Sequence, residues 1–295
     1  MEPHYYAAFL ETIGHTVREL HGVYWFNVFS HAWICFPLET QLNPAEIEPS
    51  GIVDHRGGLV RYCCSVEDGF RSFRHVASAK DYGFSSLLPK NRNQTRQGLE
   101  KCTCGPVDAR ELSTEGIALH AETMIRQGRR LPDNYEAYWR RYFEAVSSCP
   151  AATVWACRYQ GMLASFLISF RIGNVENVCI IRSREELLKH RPNNAMLFTF
   201  LQHALSRPET SEVCIGLQSL QSDMSSLDLF KRGMGFEEKV IGQRVEFQAP
   251  LGFAVPRFVA QIAGKAAGKV NGEYAARLAG ALTIYANQPR IRRSA

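Results

Sequence analysis

The order of local signals over residues 190–236 constrains the fold of this 295-residue chain more than any other feature. The Pro-Asn-Asn sequence at residues 192–194 precedes a long apolar run, and proline beside asparagine favours the start of a helix. Residues 212–217 are typical of a short buried strand, and residues 227–236 predict a short helix that ends at glycine. A final strand is predicted over residues 239–247, so helices and strands should alternate here in a fixed order.

Apolar patterns upstream predict further strands and helices. Residues 23–42 are rich in aromatic and β-branched side chains and predict two strands, and residues 58–66 predict another. Residues 110–127 and 134–146 carry apolar side chains at helical spacing. Three consecutive strands separated by turns are then predicted at residues 153–158, 162–171 and 175–181.

This order of elements resembles the GNAT acyltransferase fold. The closing sequence Leu-Phe-Lys-Arg-Gly-Met-Gly-Phe, residues 229–236, is similar to the FemAB-type and BioF2-like branch, whose chains carry two GNAT-like domains in tandem. The resemblance covers about residues 108–247; for the first domain it concerns length and order only. It implies an α+β (α/β) class, in which tandem GNAT-like domains each have a mixed β-sheet flanked by helices.

The resemblance and the composition together predict four segments. They are an N-terminal degenerate GNAT-like domain (1–88), a basic linker helix (89–107), a C-terminal GNAT acyltransferase domain (108–250) and a basic amphipathic helical extension (251–295). From Leu251 onward seven Lys or Arg residues face one acidic residue, Glu273, so the rest of the chain is nearly neutral. Apolar side chains recur there at i, i+4 spacing. We expect the extension to pack on the protein's own body or, over residues 254–287, to contact a second copy or an anionic membrane surface.

The resemblance implies an acyl donor between two splayed strands, with its phosphates at the start of the next helix. The residues there, predicted to bind the donor, are Lys189, His190, Arg191, Asn193, Asn194 and Ala195. Arg191 matches the usual coenzyme A motif, whereas Asn194 and Met196 replace a glycine and a small residue, which counts against coenzyme A. Asparagine at a helix start also serves as a simple cap. Acyl-CoA is the donor co-substrate that the fold implies, and aminoacyl-tRNA is the alternative that the FemAB resemblance implies.

Lys231 occupies the position where many coenzyme A-dependent relatives have a tyrosine that protonates the departing thiolate. A lysine there could stabilise a developing oxyanion or hold a phosphate or carboxylate of the donor, and it could also be a surface residue near a helix end. Asp223 and Ser225, which follow the strand at residues 212–217, are the other predicted catalytic residues.

Substrate-binding residues are predicted in two further places. Arg92 and Arg96 lie four residues apart in a basic segment, so on a helix they could hold one anionic group, or the segment could be a solvated linker. The two helices that precede the sheet line the acceptor side in GNAT-like domains, and the residues predicted there are His120, Glu122, Tyr138 and Arg140. The acceptor is expected to be a small molecule or a cell-envelope precursor, and no DNA partner is expected.

Nine cysteines show no spacing of a zinc site, and Cys35, Cys157, Cys179 and Cys214 are predicted to be reduced core residues. No metal is expected. No secretory signal is recognisable, so a cytoplasmic enzyme is predicted. The predicted reaction is transfer of an acyl or aminoacyl group to an amine or hydroxyl by direct attack. The alternative is a non-catalytic GNAT-like module that binds a partner through its C-terminal helix.

Overall fold

The computed structural model describes residues 2–54, 58–126, 128–218, 225–248, 256–267 and 273–291. The helices are α1 His4–Thr12, α2 Pro49–Ile52, α3 Pro89–Lys101, α4 Glu115–Arg126, α5 Tyr135–Ser148, α6 Pro192–Ser206, α7 Ser225–Gly233, α8 Arg257–Ala267 and α9 Glu273–Asn287. The strands are β1 Val17–Leu20, β2 Val23–Phe29, β3 Ala32–Phe36, β4 Leu59–Cys64, β5 Phe70–Ala77, β6 Cys102–Pro106, β7 Ala152–Tyr159, β8 Met162–Ile172, β9 Val175–Ser183, β10 Glu212–Leu217 and β11 Glu237–Phe247.

The chain divides into two compact units. The first unit comprises Met1–Phe9, His75–Gly216 and Asp223–Glu238, and the second comprises Leu10–Arg74, Leu217–Ser222 and Lys239–Ala295. This division differs from the four consecutive segments expected from the sequence, because the chain crosses from one unit to the other within β5 and within β11.

The first unit contains a mixed sheet covered on both faces. Its strands follow the order β10-β9-β8-β7-β6, in which β9 and β10 are parallel and the other neighbours antiparallel. Successive side chains of β8 point to opposite faces: Phe166 contacts Phe143 of α5, whereas Leu167 belongs to the core formed with α6. A strand covered on both faces is apolar along its length, which explains the long apolar run of β8.

The second unit contains the strand order β1-β2-β3-β4-β11, with β3 and β4 parallel. Its core is built around Trp25, Trp33 and Tyr62. The C-terminal helices α8 and α9 pack on each other, and the Gln288 side chain makes two hydrogen bonds of 2.9 Å with the backbone of Val245 in β11. The extension therefore docks on its own unit, one of the arrangements predicted for it.

Comparison with the sequence confirms the α/β class and most of the predicted helices and strands. Three predictions are corrected. The predicted linker helix over residues 89–107 ends at Lys101, because Cys102–Pro106 pairs as a strand with β7. The single C-terminal helix expected over residues 251–295 is two helices, and residues 268–272 between them lie outside the described residues. Cys179, predicted to be buried, is exposed. The strands β1 and β5 and the helix α1 were not predicted.

Within the described residues, none of the helices combines the length and the apolar character that crossing a bilayer would require. Among the same residues, no three His, Cys, Asp or Glu side chains cluster in a way that could hold a metal ion. None of the nine cysteines, all of which are described, forms a disulfide.

Candidate functional site

The two parallel strands of the first unit separate towards their carboxyl ends. The β9–β10 ladder joins Val175 to Glu212 and ends at the pair Asn177–Cys214. Beyond that pair β9 continues to Ser183 and stays hydrogen-bonded to β8 on its other side. The backbone groups of β9 that face β10 therefore line a gap within the sheet.

A cleft with a volume of about 670 Å³ occupies this gap. Its walls come from β10 and from α4, β9, α6 and α7 of the first unit, together with Leu188 in the segment between β9 and α6. The apolar side chains that line it include Val178, Ile180, Leu197, Ile215 and Phe230. The cleft is thus a largely apolar space that ends at the start of α6.

Every charged side chain among the described residues that line the cleft is cationic. They are Arg126 from α4, Arg182 from β9 and Lys231 from α7. Arg126 is exposed, whereas Lys231 is buried. Cations beside a low-dielectric space attract an anion more strongly than they would in water. The cleft therefore favours a ligand that is apolar in part and carries negative charge.

Lys231 is held by a chain of polar groups that links it to the buried His75 through the half-buried Asp228. Its Nζ lies 3.5 Å from Oδ1 of Asp228, and the same oxygen lies 3.0 Å from Nε2 of His75. Burial lowers the pKa of Lys231, and the Asp228 carboxylate opposes that shift. Burial and the neighbouring Lys231 lower the pKa of His75, and the Asp228 carboxylate, which accepts a hydrogen bond from Nε2, opposes that shift. Lys231 is therefore not the surface lysine that one reading of the sequence allowed.

The start of α6 supplies the polar end of the cleft. Arg191 precedes the helix in the left-handed conformation, with φ of 60°. Asn193 lines the cleft, and its Nδ2 donates to Oγ of Ser183 at 3.2 Å, while its Oδ1 has no hydrogen-bond partner among the described residues. The first backbone N–H groups of a helix lack partners within it, so those of α6 can bind an anion here.

The other residues predicted to bind the donor point elsewhere. Asn194 is buried, and its Nδ2 lies 3.6 Å from Sδ of Met234. Ala195 is buried against α3, Lys189 is exposed, and the His190 ring stacks on Tyr159 at 3.9 Å. Of the six predicted residues, Asn193 is the one whose side chain lines the cleft.

The predicted acceptor-side residues do not line the cleft. His120 is buried, bonds Tyr135 through Nδ1 and lies 3.8 Å from the Trp139 ring centroid. Glu122 accepts a hydrogen bond from the backbone of Glu185 at 2.8 Å. The ring of Tyr138 packs in an aromatic cluster of α5, and Arg140 is exposed. The α4 residues that reach the cleft are instead Thr123 and Arg126.

The basic segment of α3 contacts the chain just before it. Arg92 donates from Nε to the carbonyl of Phe84 at 2.9 Å and from a terminal nitrogen to Leu87 at 3.1 Å. The Arg96 guanidinium lies 5.1 Å from the centroid of the Phe84 ring. The helix α3 therefore packs on the segment that precedes it. Because both arginines are engaged there, the pair Arg92 and Arg96 does not form the predicted anion site.

Two predicted catalytic positions cannot be placed in the cleft. Asp223 and the side chain of Ser225 lie outside the described residues. Conversely, sequence reasoning did not select Arg126, Arg182, Asp228 or His75. The i, i+3 spacing of Asp228 and Lys231 on a predicted helix was a detectable signal for their pairing. The contact of His75 joins distant parts of the sequence and had no such signal.

His120 should make the protein sensitive to acid. Burial, with Arg182 and Arg129 nearby, lowers its pKa to about 3, whereas an unfolded histidine has a pKa of about 6.5. Between these values the unfolded chain binds a proton that the folded chain does not, so stability falls as the pH drops below 6.5. We expect His120→Gln to reduce this dependence by up to about 1.4 kcal/mol for each pH unit.

Urea unfolding at pH 7, 6 and 5 measures this slope. His4, which is exposed, supplies the control: His4→Gln should keep the wild-type slope. An unchanged slope in His120→Gln would show that folding does not lower the pKa of His120.

No family model and no curated protein matches the sequence. Solved structures match the fold. FemX has a TM-score of 0.56 and 11% sequence identity, and the match covers 80% of this chain and 90% of FemX. L-PGS from Bacillus licheniformis has a TM-score of 0.53 and 13% identity, with 95% of this chain and 96% of L-PGS covered. At such identities the likeness establishes the fold alone.

The fold predicted from residues 190–236 is therefore confirmed. The chain has a FemAB-like GNAT fold. The splayed strands, the cleft and the start of α6 are the parts of this fold that carry the candidate site.

Proposed function

We propose that the protein is an acyltransferase whose acyl donor lies between β9 and β10 and whose acyl group passes to an amine or hydroxyl acceptor. The observation that carries this proposal is the gap between two parallel strands, which opens at the start of α6 and is lined by cations without a described carboxylate. Helix N-termini and cations favour phosphate, the anionic part of the common activated donors.

An acyl-coenzyme A is the donor that these features support best. The apolar walls formed by Val178, Ile180 and Ile215 suit a thin, flexible acyl chain and its linker. Asn194 replaces a motif glycine, but its side chain points to Met234 in the core and does not fill the cleft. The replacement is therefore compatible with a donor at the start of α6.

An aminoacyl-tRNA is the alternative donor. Binding of tRNA depends on many phosphate contacts and so on a broad basic surface. Arg92 and Arg96 are engaged with Phe84 and its neighbours, and the excess of basic residues lies after Leu251. These observations favour the coenzyme A thioester over tRNA.

In the proposed reaction the acceptor atom attacks the carbonyl carbon of the thioester. The carbon–sulfur bond breaks, sulfur leaves as a thiolate, and the acceptor's proton passes to the thiolate or to water. Negative charge develops on the carbonyl oxygen and then on sulfur. The Lys231 ammonium, whose charged form the Asp228 carboxylate favours, stabilises that charge.

A donor screen tests the proposal. Melting temperatures of the full chain are measured with acetyl-CoA, a long-chain acyl-CoA, free coenzyme A and charged tRNA. A donor present at a concentration of 100 times its dissociation constant stabilises the folded state by about 2.7 kcal/mol. Binding of the donor should therefore raise the melting temperature measurably. We expect a shift with an acyl-CoA, and a length preference would identify the acyl group. A shift in melting temperature with charged tRNA alone would mean that the donor is an aminoacyl-tRNA and not an acyl-CoA.

The absence of a shift with every donor would favour the non-catalytic binding module. In that case the cleft variant Lys231→Ala and wild type should also behave alike in any partner-binding assay. A small molecule or a cell-envelope precursor is the proposed acceptor, and turnover assays with the donor found by the screen would identify it.

A further inference from the structure

The helix α8 presents an apolar face that the described residues do not cover. Phe258 and Ile262 are 66% and 64% exposed, and Val259 lies beside them at 40%. Residues spaced i, i+4 share one helix face, so these side chains form one patch, which we call the α8 face. Single exposed apolar residues are ordinary, but three within five residues of one helix are not.

The opposite side of α8 is fixed to the second unit. Ala260 is buried, and Gly264 faces α9, where a Cβ at this position would be in van der Waals contact with Cβ of Leu282 at 3.4 Å. The guanidinium of Arg257 donates to the carbonyls of Gln288 and Pro289 at 2.6 and 3.2 Å. The α8 face therefore points outward on a firmly attached helix.

Positive charge lies at the start of α8. Arg257 begins the helix, and the neighbouring Arg290 is near enough to lower its pKa, although burial has the larger effect. The segment after Leu251 carries a single acidic residue. A second copy packed face to face would bring these like charges together. An anionic bilayer would instead attract them while it buried the apolar side chains.

We infer that α8 docks the protein on a membrane surface that contains anionic lipid. Phe258, Val259 and Ile262 enter the boundary between headgroups and acyl chains, and Arg257 and Arg290 stay at headgroup level. The helix is short, so binding is peripheral and reversible. This inference is independent of the proposed acyl transfer, because it uses residues of the second unit only.

Co-sedimentation of the full chain with vesicles tests the inference. We expect binding to vesicles of phosphatidylcholine mixed with an equal amount of phosphatidylglycerol, and little binding to phosphatidylcholine alone. The double variant Phe258→Asp, Ile262→Asp should weaken binding to the mixed vesicles by about tenfold or more, since it removes apolar burial and adds repulsion. Leu99→Asp, at an exposed apolar position on α3, is the matched control and should bind like wild type.

A second variant keeps the test informative if the double variant folds poorly. Arg290→Glu should weaken binding to the mixed vesicles by about fivefold and leave the melting temperature unchanged. Equal binding to both kinds of vesicle, or wild-type binding by the folded variants, would overturn the inference. A dimer in analytical ultracentrifugation that the double variant loses would also overturn it, in favour of a second copy on the α8 face.

Discussion

Lys231→Ala is expected to lower acyl transfer by about 100- to 1,000-fold, the loss typical when one preorganised group that stabilises developing charge is removed. The side chain is buried in the cleft wall, and its ammonium lies 3.5 Å from Asp228. The melting temperature should change little, because the remaining Asp228 is 19% exposed and keeps its contact with His75, so no fully buried charge is left without a partner. Turnover with the donor found by the screen measures the effect.

Two substitutions serve as controls for this prediction. Arg232 is the next residue on α7, and its side chain is exposed, so Arg232→Ala should retain wild-type turnover. Lys231→Arg keeps the charge and should retain part of the activity. Wild-type turnover in Lys231→Ala would remove this residue from the mechanism while leaving donor binding to be judged separately by the melting-temperature screen.

The pH profile distinguishes a charged Lys231 from a structural one. Burial lowers its pKa, so the ammonium loses its proton at a lower pH than an ordinary lysine. Transfer should therefore decline as the pH rises through this lowered pKa. Because arginine stays protonated, Lys231→Arg should lack that alkaline decline. A decline that persists in Lys231→Arg would have to come from another group.

Gly98→Val should destabilise the protein by about 2 to 3 kcal/mol through overpacking and should weaken donor binding as well. A Cβ at Gly98 would lie 2.6 Å from the carbonyl oxygen of Arg191 and 3.0 Å from Cβ of Ala195. The first contact is with backbone, which cannot move aside as a flexible side chain would. The substitution must therefore separate α3 from the start of α6.

Urea unfolding and the donor screen together measure this effect. Gly105 in β6 is the control, because nothing lies within 4 Å of a Cβ there, and Gly105→Val should leave both stability and donor binding nearly unchanged. Destabilisation by Gly98→Val without weaker donor binding would mean that the start of α6 does not hold the donor.

Local chemistry made most of the fold of the first unit predictable. The start of α6 at Pro192 and the bounds of β10 follow from proline, asparagine and apolar runs, and the structure confirms them. The strand β6 was missed because Cys102–Pro106 contains glycine and proline, which are poor strand residues, and only its pairing with β7 makes it a strand. Pairing with a distant segment overrides local propensity.

The site was predictable to a smaller extent, because a motif identifies a position and not the direction of its side chain. Lys231 and Asn193 were selected and do line the cleft, whereas Asn194, one residue further along α6, points into the core. His120 and Glu122 lie on α4 as predicted, but the α4 residues that line the cleft are Thr123 and Arg126.

The separation of β9 from β10 also affects how mutational scans of this protein should be interpreted. Along Val178–Ser183 the groups available to a donor in the gap include main-chain N–H and C=O, which every side-chain replacement except proline preserves. Alanine scanning of β9 would therefore understate the strand's part in recognition. Amide-to-ester backbone substitution, which deletes a single N–H donor, would measure it directly.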